Sequence, residues 1–116
     1  MALYLLILRR DQSAPLSLPE AEMMTRFMEW TRGLHQAGAL RAVERLKGSA
    51  EGTTVRSREG AIGVEGPYDG AREGVIGFYL VEATDQAEAN EMAKGCPILL
   101  SGGSVEVRET EPFPKS

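Results

Sequence analysis

Apolar residues recur along this chain in two rhythms. At two points they form nearly unbroken runs bounded by charge. Ala2 to Leu8 (ALYLLIL) sets Leu3, Leu5 and Ile7 on one side of an extended chain and Tyr4, Leu6 and Leu8 on the other, because successive side chains of a strand point to opposite faces. Arg9, Arg10 and Asp11 close this strand. Val75 to Val81 (VIGFYLV) repeats the pattern, with Val75, Gly77, Tyr79 and Val81 against Ile76, Phe78 and Leu80. Neither strand has a polar side, so both faces of each require cover. Gly77 leaves a gap on the Tyr79 side where a backbone, a ligand or a partner would come close.

The second rhythm is helical. From Leu18 to Ala37, Met23, Met24, Phe27, Met28, Trp30, Thr31 and Leu34 fall on one arc at about 100° per residue. Ser17 and Glu20 have the spacing of a capping box, Pro19 suits a first turn, and Gly38 ends the helix. A second, weaker helix runs from a cap at Thr84 or Asp85 to Gly95, with Ala89, Met92 and Ala93 inward. Shorter extended segments complete the chain. Ala39 to Lys47 alternates poorly, which predicts an edge or a bulge. Thr53 to Arg58 and Ala61 to Val64 form a hairpin turning at Glu59-Gly60, with Gly60 at positive φ. Ile98 to Gly103 reads as a link, Ser104 to Arg108 as the last strand, and 109–116 as a polar tail.

Composition narrows the class. The 116 residues make one domain, 42% apolar and 26% charged, with enough chain for a core without staples. A net charge of −4 and scattered basic residues argue against nucleic-acid binding. A single cysteine, Cys96, permits no internal disulfide and points to a reducing cytoplasm. Met1 to Leu8 is too short for a signal core or a membrane span. One His and one Cys offer no structural metal site, and no phosphate-binding loop or serine nucleophile motif is present, so no cofactor is expected.

Few residues carry candidate chemistry. His35, at the rim of the helical arc, is either an acid–base group or a half-buried residue finishing the helix face. Arg56 and Arg58 share a strand face and either grip an anion or decorate a wet surface. Cys96 reads as a small apolar filler. Glu65 to Glu73 (EGPYDGARE) is a Gly-Pro turn and charged loop leading into the second apolar strand. It is either a solvated connection or the mouth of a site.

That stretch, EGPYDGAREGVIGFYLVEA, resembles the motif of the DGPF family of YCII-related proteins. Glu65 stands for its Asp, Gly66-Pro67 match, Tyr68 stands for its Phe, and Arg72-Glu73 and Gly77-Phe78-Tyr79 occupy the following positions. Gly103 to Arg108 is similar to the family's closing strand. Two positions depart: Glu65 is a methylene longer than Asp, and Gly70 replaces a usual Glu. The resemblance implies an α+β, ferredoxin-like fold of the dimeric α/β-barrel type: an antiparallel sheet with two helices on one face. The β-α-β-β-β-α-β order agrees. Two helices cover one side of such a sheet, so the other apolar side implies a homodimer. A cavity between sheet and first helix, or between two sheets, would be bordered by Tyr4, Tyr68, Tyr79, Arg72 and Glu73 as substrate-binding groups. The resemblance also implies two functions: a small-molecule-binding or regulatory module with a regulatory protein partner, or an isomerase- or lyase-type enzyme using Glu65, helped by His35, as proton carrier. For the second, Glu65 would need burial beside an aromatic wall and a raised pKa.

Overall fold

The two strands that are apolar on both sides lie together at the centre of the sheet. The computed structural model describes residues 1–68 and 73–114. In chain order the elements are β1 (Ala2–Arg10), α1 (Glu20–Gln36), β2 (Leu40–Arg45), β3 (Thr54–Arg58), β4 (Ala61–Glu65), β5 (Gly74–Ala83), α2 (Gln86–Lys94) and β6 (Ser104–Glu109). A four-stranded sheet has the order β2-β5-β1-β6, antiparallel at each pairing. This is the ferredoxin-like α+β arrangement, with β3 and β4 inserted as a separate two-stranded sheet. β2 is an edge strand and carries a register shift between Leu40 and Ala42, as its poor alternation predicts.

Parity decides the layers. The even residues of β1 and the odd residues of β5 from Gly77 onward are buried under the helices. Tyr4, Leu6, Leu8, Tyr79, Val81 and Ala83 join Leu34, Ala89, Ala93, Cys96 and Ile98 in one core. The opposite side presents Leu3, Leu5 and Ile7 of β1 beside Leu80 and Phe78 of β5, all half-buried within this chain. A bulge where Leu8 meets Arg9 breaks the expected alternation of β5. It sets Val75 opposite Arg9 and brings Ile76 to the helix side, against the core.

Several boundaries differ from expectation, each for a local reason. β1 runs two residues longer, through Arg10, because both arginines pair onward with β5. α1 starts at Glu20, not Leu18, and Ser17 does not cap it. Pro19 disfavours helical backbone at the residue before it, and the Ser17 amide donates instead to Ser101 Oγ, 3.3 Å away. The link after α2 is a 3-10 turn, Pro97–Ser101, with Pro97, Ile98 and Ser101 buried. α2 is capped as its sequence predicts: Asp85 accepts from the Glu88 amide at 2.8 Å, and Glu88 accepts from the Thr84 amide at 2.9 Å. The β3–β4 turn places both Glu59 and Gly60 at positive φ, 51° and 82°, the two-residue turn whose twist suits a hairpin.

That hairpin projects. The radius of gyration is 16.2 Å, against about 13–14 Å for a compact chain of this length. Val55, Ile62 and Val64 on the hairpin are 67%, 79% and 71% exposed.

Candidate functional site

The helical arc on α1 and the helix side of the sheet do not close on each other completely. Between them lies a cleft of about 430 Å³. Leu8, Val43, Ile76, Gly77 and Tyr79 form its floor, and Met23, Met24, Phe27, Met28 and Thr31 of α1 form its roof. Its polar groups are Arg10, Gln12, Glu20, Glu44, Arg45, and the Thr31–Tyr79 pair. The lining is mostly apolar, with a few polar groups among it.

Gly77 lets β2 approach closely at the floor. A Cβ at this position would lie 2.9 Å from the Glu44 carbonyl oxygen of β2. The close approach expected beside Tyr79 is thus made by the β2 backbone.

Tyr79 is the expected site residue that the fold places in the cleft. Its hydroxyl is 2.7 Å from Thr31 Oγ1, which is itself 2.7 Å from the Phe27 carbonyl. A carbonyl only accepts, so Thr31 donates its one proton to Phe27 and Tyr79 donates to Thr31. Burial raises the Tyr79 pKa above its ordinary value, while the Thr31 bond opposes the shift. Trp30 lies tilted against the Tyr79 ring, centroids 4.4 Å apart, and donates Nε1 to the Met92 carbonyl at 3.2 Å.

The other expected residues are dispersed. Tyr4 is buried on the helix side but outside the cleft. Its pKa is raised first by burial and then by the charges of Glu109 and Asp85. Tyr68 is exposed, with the Arg56 guanidinium 5.9 Å from its ring centroid. Glu73 is exposed just before β5. Arg72 lies outside the described residues. His35 is exposed in the last turn of α1, outside the cleft lining.

Glu65 departs most from its expectation. It sits at the end of β4, and its Oε1 accepts from Arg56 Nε at 2.9 Å and from Arg58 Nη2 at 3.0 Å. The Arg58 hydrogen bond, aided by Arg56, lowers its pKa against a smaller opposing effect of burial. The raised pKa required of a proton carrier is therefore reversed: a carboxylate held by two guanidiniums is stabilised in its charged form. Arg56 and Arg58 do grip an anion, and that anion is the chain's own Glu65.

Cys96 is a filler. It is buried, and burial pushes its thiol up to about 11. Among the described residues no cluster of His, Cys, Asp and Glu is arranged to hold a metal ion. Among the described residues no helix is long and apolar enough to cross a membrane.

A model of the YCII-related domain matches residues 2–114. The chain belongs to the YCII-related family. No curated protein matches the chain closely enough to lend it an activity. Within this YCII-related chain, the cleft recruits residues that the loop motif does not contain. Arg10 is the clearest case. It is only 7% exposed and lines the cleft. Its signal was present in the sequence: continuing the even parity of Tyr4, Leu6 and Leu8 by one step puts Arg10 under the helices. Met24 and Met28 were legible as part of the apolar arc that faces the sheet.

Proposed function

We propose that this YCII-related protein is a homodimeric small-molecule-binding module whose ligand lies between α1 and the sheet. The observation that carries the reading is the 430 Å³ cleft, roofed by methionines and floored by Gly77 and Tyr79. Methionine side chains are unbranched and polarisable, and they adapt to irregular apolar shapes. Binding is favoured over catalysis because Glu65 is engaged by two arginines and does not line the cleft.

Dimerisation is supported by the uncovered sheet side. Leu5 opposite Leu80 and Ile7 opposite Phe78 make a contiguous apolar patch. Ion pairs Arg9–Glu106 and Arg41–Glu82 rim it. Such a patch, apolar in the middle and charged at the margin, suits a two-fold partner presenting the same surface. The projecting β3–β4 hairpin, with Val55, Ile62 and Val64 exposed, offers a second apolar surface to the same partner.

A thermal-shift screen of small metabolites tests the ligand site, since a ligand that binds only the folded state raises the melting temperature. Compounds that do so are expected to perturb the methyl resonances of Met23, Met24 and Met28. Stabilising compounds that leave all three methyls unmoved would place the site elsewhere. Sedimentation at micromolar concentration tests the dimer: a two-chain mass is expected, reverting to one chain in Leu5→Glu.

A further inference from the structure

We infer that the ligand of this cleft is an apolar carboxylate, with the Arg10 guanidinium as its counter-ion. The inference rests on the cleft being a ligand site, as proposed above, and adds the chemical class. Arg10 is a buried cation without a buried anion. Its Nε donates to the Ser101 carbonyl at 3.3 Å and its Nη2 to the Ala14 carbonyl at 2.6 Å. Both acceptors are neutral, and among the described residues no carboxylate lies within ion-pair distance of it. A guanidinium has five N–H donors, so most of the fork is free of these two bonds.

The neighbouring carboxylates among the described residues make no ion pair with it. Asp11, the next residue, directs Oδ1 to the Ser13 amide and hydroxyl, at 3.0 and 2.6 Å. Glu44 of β2, opposite Phe78, lines the cleft without an ion pair to Arg10. Glu20 is exposed at the start of α1 and makes no ion pair with Arg10. Arg45, opposite Gly77, adds a second cation at the cleft. The two arginines and the two glutamates that line the cleft leave it formally neutral, in a chain of net charge −4.

Burying a charge is costly unless it is paired. A ligand carboxylate supplies the pairing and matches the planar fork in two parallel hydrogen bonds. The methionine roof and the Leu8, Val43 and Ile76 floor then take an apolar body.

The test uses three ten-carbon probes at sub-micellar concentration: decanoate, 1-decanol and decyltrimethylammonium. Binding is read from the Met23, Met24 and Met28 methyl shifts and from nuclear Overhauser contacts to the probe chain. Decanoate is expected to bind at least about 10-fold more tightly than decanol, the scale of one charge-assisted pair, and the cationic probe not at all. Arg10→Met is expected to remove that preference, and Arg10→Lys to keep part of it. Equal affinity for decanoate and decanol in the native protein overturns the carboxylate assignment and leaves the cleft as an apolar site. Should none of the probes move the methyls, the apolar cleft site itself falls. Should Arg10→Met fail to fold, the head-group comparison on the native protein decides alone.

Discussion

Gly77→Ala tests whether close backbone approach, rather than ligand space, requires glycine at this point of the sheet. Gly77 lies between Leu8 of β1 and Arg45 of β2. An added Cβ would sit 2.9 Å from the Glu44 carbonyl oxygen and 3.6 Å from Arg45 Cα. The first of these is well inside an ordinary C···O contact of about 3.3–3.6 Å. The obstacle is main chain in a paired strand, so no side-chain rotation relieves it. Inserting a methyl into a packed site costs about 1–3 kcal/mol. Alanine returns about 0.4–1 kcal/mol by restricting the unfolded chain. The expected net loss is about 1–2 kcal/mol, a fall in Tm of roughly 4–8 °C at this length. The damage should concentrate at the edge. The Leu46 amide, which donates to the Ile76 carbonyl at 2.9 Å, should lose hydrogen-exchange protection. The Glu82 amide, which donates to Ala39 at the other end of β2, should lose less. Gly63→Ala on β4 is the control, because nothing lies within 4 Å of its added Cβ. It should be neutral or slightly stabilising. If Gly77→Ala matches the native protein in Tm and in Leu46 protection, the steric reasoning is refuted.

The hairpin should be sensitive to acid. Glu65 has a folded pKa below its ordinary value of 4.5, so its contribution is present above 4.5 and is lost as pH falls through the lower folded value. Carboxylate NMR shifts should titrate below 4.5, and Glu65→Gln should abolish the acid-dependent loss of β3–β4 order. The Cys96 thiol, pushed up to about 11 by burial, should resist alkylation at pH 8 in the folded protein and react on denaturation; rapid native labelling would contradict its burial. Asp85→Ala removes the side-chain cap on the Glu88 amide and should cost about 1 kcal/mol in urea unfolding, with the slope unchanged.

The elements of this chain were legible because they are written in local patterns. Alternation marked β1 and β5, the 3.6 period marked α1, Asp85 marked the start of α2, and Glu59-Gly60 marked the hairpin turn. Unbroken apolar strands also announced the centre of the sheet, since only central strands find cover enough for two apolar faces. The charged loop drew the candidate site toward Glu65 and Tyr68, yet the hairpin carries both out of the cleft. Glu65's electrostatics followed from a cross-strand neighbour: Arg56 and Arg58 share its face only once the hairpin register is set.

What the chain by itself determined is therefore the order of its elements and the apolar demand on both sides of its central strands. Those follow from backbone stereochemistry and side-chain period, which act over a few residues. Only the tertiary structure decided the site. It continued β1 two residues past its expected end, buried Arg10 beneath α1, and brought the Glu44 carbonyl against Gly77. Each of these joins residues distant in sequence. Whether a charge is solvated, paired or stranded depends on which chain segments fold over it.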